Sequence, residues 1–268
     1  MFVRESGAPA RLPVMLVHGH LLDGAFWDPA VPALARTRRV LVPDLPGYGR
    51  SPPLPAPWTM ERVREELEAA LAGRGVEEVD VAGYSAGTYL ALALALAGRV
   101  RVRRLFLLGA MAGLGREDLA AFGRAAGGGG ADVVEAFVAH ATPRAWAAAH
   151  ARELAAVGEA GRRTSPETLA GELEAMSRLT DLRPRLAEVR AETVARCGTE
   201  DHNTPLAWSE AIARAVPGAR LEVAPGVGHL YLVEDPAATV ASLVAFLGAD
   251  PPTPTPGGGA GGPGTITP

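Results

Sequence analysis

Lysine is absent from this 268-residue chain, and all 26 of its basic residues are arginine. The arginines are scattered along the sequence, and the formal net charge is -4 at pH 7. Nucleic acids and anionic membrane surfaces bind clustered positive charge, so neither is expected as a partner. We attribute the missing lysine to the coding bias of the source genome, and it carries no functional information.

Cysteine is almost absent as well, with Cys197 as the single example. One cysteine excludes an intramolecular disulfide and a thiolate metal cluster built from one chain. The segment 1–20 lacks the apolar stretch and the small-residue cleavage site of a signal peptide. The apolar run over 86–97 is too short to cross a bilayer. We therefore expect a cytoplasmic protein.

What is present is an alternation of short β-type runs with helical patterns. The predicted strands are Leu12–Val17, Arg39–Pro43, Val76–Ala82, Val102–Leu108, Thr193–Cys197 and Arg220–Val223. The predicted helices are Ala25–Arg36, Met60–Ala72, Ala86–Ala97, Pro205–Val216 and Pro236–Leu247. Strand alternating with helix predicts an α/β fold, with a mostly parallel sheet covered by helices on both faces.

A long segment interrupts this alternation. Residues 111–192 are rich in Ala, Arg and Glu with helical spacing, which predicts a subdomain of three or four helices. Because this segment leaves the carboxyl end of a strand, we expect it to lie over the ligand crevice as a cap. The core would comprise 1–110 and 193–249. The tail 250–268, mostly Pro, Gly and Thr, is expected to be disordered, with a docking segment as the alternative.

The string GYSAG, residues 83–87, lies between a predicted strand and a predicted helix. A sharp strand-to-helix turn would hold Ser85 clear of its surroundings and direct the amide of Ala86 toward a developing oxyanion. Side chains at Gly83 and Gly87 would collide with the backbone at so tight a corner. The pattern also arises by chance in a Gly-rich and Ala-rich chain, but its context favours a nucleophile.

A serine nucleophile needs a base and a carboxylate that orients the base. His229 follows the last predicted strand, so we expect it at the carboxyl edge of the sheet, together with Ser85. The acid is expected at Asp201, which follows the strand ending at Cys197, with Glu200 as the competitor. His140 and His150 fall in the helical segment and are expected at the surface.

These motifs together resemble the α/β-hydrolase superfamily, in the branch with a single cap insertion. The likeness runs from about Leu12 to Leu247 and rests on five strings: VHGH followed by FW, DLPGYGRS, GYSAG, GTEDHNTP and GHLYLVEDP. One departure from the larger members is that the leading hairpin strand is missing or trimmed, which implies six or seven strands. Another is a serine where epoxide hydrolases and haloalkane dehalogenases need a carboxylate.

The resemblance implies roles for individual residues. The nucleophile, acid and base would be Ser85, Asp201 and His229, and the oxyanion hole would be formed by the backbone amides of His20 and Ala86. His18 matches a structural histidine. The imidazole of His20 could in addition touch the leaving group.

The expected activity is hydrolysis of a carboxylic ester of a small or medium-sized molecule through an acyl-enzyme on Ser85, without a metal or organic cofactor. Carbon–carbon bond hydrolysis and cofactor-free perhydrolysis or haloperoxidase-like chemistry with the same triad are alternatives. A catalytically silent binding protein on the same fold is a third.

Overall fold

A computed structural model describes residues 1–8, 12–120 and 131–248, without the side chains of residues 131–133. Within these residues the strands are β1 Val3–Ser6, β2 Pro13–Val17, β3 Arg39–Pro43, β4 Glu78–Tyr84, β5 Arg101–Leu108, β6 Glu192–Gly198 and β7 Arg220–Ala224. They form one sheet in the order β1-β3-β2-β4-β5-β6-β7, in which only β1 runs antiparallel to its neighbour. The prediction of a mostly parallel sheet of six or seven strands is confirmed. The predicted tail at 250–268 lies outside the described residues.

The α-helices with both ends in the described residues are α1 Val31–Ala35, α2 Met60–Ala72, α3 Ala86–Ala97, α4 Ala131–Ala141, α5 Arg144–Ala149, α6 Ala151–Arg162, α7 Pro166–Ser177, α8 Leu206–Ala215, α9 Tyr231–Glu234 and α10 Pro236–Leu247, and residues 116–120 are helical as well. None of them combines the length and the hydrophobicity needed to cross a membrane.

The sheet is buried on both faces. Along β2, Val14 and Leu16 belong to one apolar cluster, whereas Met15 and Val17 belong to another. Successive side chains of a strand point to opposite faces, so these two clusters are the cores on the two sides of the sheet. A strand of this kind needs a continuous apolar run, and PVMLV supplies one.

Two local details differ from the predicted elements. The six predicted strands omit β1, whose four residues pair antiparallel with β3 from Val3 opposite Pro43 to Ser6 opposite Val40, so the leading strand is trimmed rather than missing. Its sequence, VRES, is only partly buried at the sheet edge and shows no apolar run. The predicted helix Ala25–Arg36 is divided into a 3₁₀ turn, Gly24–Trp27, and α1. Pro29 lies between them and cannot donate a helical hydrogen bond.

The segment between β5 and β6 contributes α4 to α7 and contacts the core near the carboxyl ends of the strands. Helix α7 packs closely on the loop after β3, because a Cβ added at Gly47 would lie 2.5 Å from the side chain of Thr168. The last residue of α4, Ala141, accepts a hydrogen bond from the backbone of His229 in the loop after β7. These contacts bring α7 close to the loop after β3 and the end of α4 close to the loop after β7.

Candidate active site

Ser85 occupies a strained corner between β4 and α3. Its backbone has φ 51° and ψ -122°, a conformation that residues other than glycine rarely adopt. Strand β4 extends to Tyr84 rather than to the predicted Ala82, because Tyr84 still pairs with Leu108 of β5. Thr88 closes the first turn of α3 by donating its backbone amide to the carbonyl oxygen of Ser85 at 2.8 Å. The strand thus turns into the helix within one residue.

Two glycines make this corner possible. A Cβ at Gly83 would lie 2.5 Å from the carbonyl oxygen of Gly87. A Cβ at Gly87 would lie 2.4 Å from the carbonyl oxygen of Val17 in β2. Backbone oxygens on neighbouring elements cannot move aside cheaply, so a side chain at either position would push the helix away from the sheet.

Asp201 and His229 meet although 28 residues separate them in the chain. The imidazole Nδ1 of His229 lies 2.8 Å from Oδ2 of Asp201, and neither side chain is exposed. Both residues stand in loops that follow the carboxyl ends of adjacent parallel strands, β6 and β7, which brings the loops together. Glu200, the alternative acid, is exposed.

The carboxylate of Asp201 is held by several donors. Its Oδ1 accepts the backbone amides of Asn203 at 3.0 Å and Thr204 at 2.8 Å, and its Oδ2 accepts the hydroxyl of Thr204 at 2.8 Å. The hydroxyl of Tyr231 also donates to Oδ2, at 2.5 Å. Burial by itself would raise the pKa of Asp201, but the imidazole of His229 and these donors lower it. Asp201 is therefore ionised, and it accepts a hydrogen bond from the protonated Nδ1 of His229.

The other nitrogen of His229 is free. Within the described part of the chain, Nε2 is buried and has no hydrogen-bond partner. The ring lies 5.0 Å, centroid to centroid, from the ring of Tyr84, the residue before Ser85, and 5.7 Å from that of Phe137 in α4. Since Nδ1 carries the proton, Nε2 presents a lone pair. The ring that bears it packs against the residue before Ser85, at the strand-to-helix corner, which we call the elbow.

A half-buried carboxylate fixes the backbone on both sides of this histidine. Glu234 accepts the amides of Gly228 and Leu230, each at 2.8 Å. Burial raises the pKa of Glu234, although these two hydrogen bonds act in the opposite direction. The amide of His229 itself donates to the carbonyl oxygen of Ala141 at 2.5 Å. Three consecutive amides of the loop therefore have fixed partners.

His18 sets the orientation of the loop after β2. The backbone amide of Leu45 donates to Nε2 of His18 at 2.9 Å, so Nδ1 must carry the proton that bonds to the carbonyl oxygen of Gly19 at 2.8 Å. Burial lowers the pKa of His18, which keeps the ring neutral. In a trans peptide the N–H points opposite to the C=O, so the amide of His20 is directed away from His18.

This loop lies directly against the elbow. A Cβ at Gly19 would be 2.8 Å from Cβ of Ser85. Leu21, two residues after Gly19, has a positive φ of 65°, a second backbone conformation that residues other than glycine rarely adopt.

The side chain of His20 enters a buried polar cluster that the sequence did not reveal. Its Nδ1 contacts the carboxylate of Glu172 in α7, and the hydroxyl of Tyr48 donates to the same carboxylate oxygen. Burial alone would raise the pKa of Glu172, but His20 and Tyr48 lower it. Burial and the adjacent Glu172 raise the pKa of Tyr48 well above its usual range, so it remains a neutral donor.

The remaining histidines take no part in this arrangement. His140 is exposed and contacts the carbonyl oxygen of Ala136 through Nδ1, and His150 stacks on Trp146 with ring centroids 4.1 Å apart. His202 is exposed. In the described residues, no group of three or more His, Cys, Asp and Glu side chains is arranged to hold a metal ion.

Several residues of the site were not singled out from the sequence. Tyr231, Glu234 and Thr204 lie within recognised strings, but their roles depend on loop geometry. For Glu172 the sequence does carry a signal, because the residue lies on the buried stripe of α7 between Leu169 and Met176, at a spacing where an apolar residue is expected.

Comparison with known proteins shows the family of this chain. A profile of the alpha/beta hydrolase family matches residues 14–243. RutD of Caulobacter sp. (strain K31), whose name proposes carbamate hydrolysis, is 29% identical over 259 residues, covering 91% of this chain and 94% of RutD. A hydrolase from Pseudomonas aeruginosa PA01 has 30% identity and a TM-score of 0.85, covering 92% of this chain and 94% of its own. A thermophilic esterase from Thermogutta terrifontis has 27% identity and a TM-score of 0.86, covering 92% of each chain. The chain belongs to the alpha/beta hydrolase family.

Proposed function

We propose that this protein is a serine hydrolase that cleaves a carboxylic ester of a small or medium-sized molecule through an acyl-enzyme on Ser85. The observation that carries the proposal is the buried pair of Asp201 and His229, whose Nε2 is unpartnered beside the elbow. A carboxylate that holds one imidazole nitrogen and leaves the other free is the arrangement required of a general base.

In the first half-reaction, Nε2 of His229 removes the hydroxyl proton of Ser85 as its oxygen attacks the ester carbonyl. The C–O bond to the alcohol then breaks, and the imidazolium returns the proton to the departing oxygen. Water repeats these steps on the acyl-enzyme and releases the acid. Asp201 keeps the imidazole in the productive tautomer and stabilises its cation throughout.

Two backbone amides would stabilise the oxyanion. The amide of Ala86 stands at the first position of α3, where the helix dipole adds positive potential. The amide of His20 is directed away from the His18 ring, in a loop that lies against Ser85. Loss of one such donor typically raises the activation free energy by ~3 kcal/mol.

The segment 111–192 would act as the cap over this site and shape the acyl and alcohol pockets. Phe137 of α4 contacts the ring of His229 edge to face, and Glu172 of α7 contacts His20. Both contacts support a role for this segment as a cap beside the proposed catalytic groups. The substrate would therefore bind between cap and core.

Carbamate hydrolysis is the second candidate, favoured by the likeness to RutD over nine-tenths of this chain. A carbamate carbonyl is less electrophilic than that of an ester, but it can be attacked by the same serine and stabilised by the same amides.

The test is a panel of aryl and alkyl esters of increasing chain length, an alkyl carbamate and a dienoic diketone, with wild type and Ser85→Ala. We expect ester turnover by wild type, labelling of Ser85 by a fluorophosphonate probe, and loss of both in the variant. Near-normal ester hydrolysis by Ser85→Ala would refute the mechanism, and turnover of the diketone alone would replace esterase with carbon–carbon hydrolase.

A further inference from the structure

The side chain of His20 is anchored by α7, which belongs to the segment proposed as the cap. Its Nδ1 contacts the carboxylate of Glu172, 152 residues further along the chain. The backbone amide of the same histidine is one of the two donors of the proposed oxyanion hole. We propose that Glu172 is a positioning residue, which holds the amide of His20 in place for the oxyanion through this side-chain contact. The inference rests on the proposed esterase function and makes half of the oxyanion hole dependent on the cap.

The contact between the two side chains is shielded from water. Glu172 is 2% exposed and His20 is 7% exposed. The hydroxyl of Tyr48 donates to the same carboxylate oxygen and lies 3.4 Å from Nδ1 of His20. A carboxylate accepts a hydrogen bond from Nδ1–H whether or not Nε2 also carries a proton, so the contact holds the ring in either state.

This contact is the main polar restraint on the ring. Within the described part of the chain, Nε2 of His20 has no hydrogen-bond partner. The ring is therefore held through Nδ1, by Glu172 and the nearby hydroxyl of Tyr48. Without the carboxylate, two buried donors would lose their acceptor, and the ring would have to move to find another.

The backbone on either side of the amide needs such a restraint. The peptide plane that carries the amide runs from Cα of Gly19 to Cα of His20. His18 fixes the carbonyl oxygen of this plane through Nδ1 at 2.8 Å, and the side chain of His20 restrains its other end. Leu21, the next residue, has φ 65°, a conformation that persists only where surrounding contacts enforce it. Loss of the side-chain restraint would let the loop relax and turn the N–H away from the oxyanion.

Helix α7 is a firm support for this contact because it packs tightly on the core. A Cβ added at Gly47, in the loop after β3, would lie 2.5 Å from the side chain of Thr168. A Cβ added at Gly171 would lie 2.9 Å from Nε1 of Trp58, just before α2. Both contacts lie within about one helical turn of Glu172, so its carboxylate has a fixed position relative to the core.

Misplacement of this amide would affect the transition state. An oxyanion donor must lie about 2.7–3.1 Å from the position of the developing oxyanion, and loss of one donor typically lowers kcat by about 10²–10³-fold. The ester carbonyl of the bound substrate depends less on this hydrogen bond than the oxyanion does. A displaced amide should therefore lower kcat and leave KM nearly unchanged.

The experiment measures kcat and KM for p-nitrophenyl butanoate in two variants of Glu172. Glu172→Leu has a side chain of similar size without an acceptor, and we expect kcat to fall about tenfold or more with little change in KM. Glu172→Gln keeps an acceptor oxygen for both donors and should recover most of this loss. Glu167→Leu, at an exposed position of the same helix, is the matched control and should behave as wild type.

A transition-state analogue separates positioning from a general loss of stability. The hydroxyl oxygen of Ser85 adds to the carbonyl of propyl trifluoromethyl ketone, its proton passes to His229, and the ketone oxygen becomes an oxyanion in the hole. In Glu172→Leu the inhibition constant should rise by about the same factor as kcat falls. A merely structural role would lower the unfolding temperature and leave both constants of the folded molecules unchanged.

Variants of His20 repeat the test from the other side of the contact. His20→Leu removes the donor, whereas the side-chain amide of His20→Asn places a donor at the position of Nδ1 and can still bond to Glu172. Both variants lack Nε2, and both keep the backbone amide. We expect kcat to be lower in His20→Leu than in His20→Asn by about tenfold or more. This pair decides the question if Glu172→Leu does not fold.

Wild-type kcat in folded Glu172→Leu would overturn the inference. So would equal losses in Glu172→Leu and Glu172→Gln, equal losses in the two His20 variants, or an inhibition constant that stays the same while kcat falls. Failure of the proposed function is a separate result, namely ester hydrolysis retained in Ser85→Ala.

Discussion

The hydroxyl of Tyr231 donates to Oδ2 of Asp201 at 2.5 Å, and the same oxygen receives Nδ1 of His229 at 2.8 Å. One carboxylate oxygen therefore serves both the phenol and the imidazole. Burial has the largest effect on the pKa of Asp201 and raises it, whereas His229 lowers it. The phenol of Tyr231 makes a smaller contribution to the lowering, because it stabilises only the ionised carboxylate.

Tyr231→Phe is expected to destabilise the protein in a pH-dependent way. The pKa of Asp201 is depressed below its ordinary value of 3.8 in the folded state, so its stabilising contribution is present above pH 3.8 and is lost as the pH falls through the folded-state pKa. The variant should lose about 1–2 kcal/mol of unfolding free energy at neutral pH. Urea titrations between neutral pH and pH 3 should show this deficit shrinking on acidification. A deficit that is constant with pH would contradict the assignment.

Gly87→Ala is expected to destabilise the elbow severely. The new Cβ would meet the carbonyl oxygen of Val17 at 2.4 Å, so α3 must shift away from β2. We expect a loss of about 3 kcal/mol or more in unfolding free energy, together with loss of fluorophosphonate labelling. Gly73→Ala is the control, because its Cβ would lie 3.3 Å from its nearest neighbour, Ala69. Thermal unfolding that is equal for the two variants would disprove the steric requirement.

Glu234→Ala is expected to lower kcat by more than its loss of folding stability alone would explain. The carboxylate anchors the amides of Gly228 and Leu230 on both sides of His229. Displacement of a proposed base by about 1 Å costs on the order of 100-fold in rate, so kcat should fall strongly while KM changes little. Glu200→Ala, in the neighbouring loop and exposed, should behave as wild type. A rise in KM with unchanged kcat would argue against a positioning role.

The parts of the site that could be predicted from the sequence are those encoded within short strings. GYSAG marks a corner because glycine, serine and the change from strand to helix are all local, and the loops of Asp201 and His229 follow strands that are evident from apolar runs. The sheet was predicted for the same reason. Strand β1 was not predicted, because VRES forms a strand through its pairing with β3 and its composition gives no indication of a strand.

The cluster around Glu172 could not be predicted in this way. His20 and Glu172 are 152 residues apart, and their contact depends on how α7 packs on the loop after β3. Neither residue has a local partner that would indicate the pairing. A carboxylate on the apolar stripe of a helix was the available signal, and it indicates only that some buried partner exists.

The hydrogen bond from the amide of His229 to Ala141 ties the proposed base to the end of α4. Any movement of α4 large enough to admit or release a molecule must either break this bond or drag the histidine along. In the second case the imidazole leaves the serine, and the hydroxyl reverts to an ordinary, unreactive alcohol. In that case the proposed serine nucleophile would be inactive while α4 is displaced and the site is open to solvent, and it would be activated only when α4 is in place.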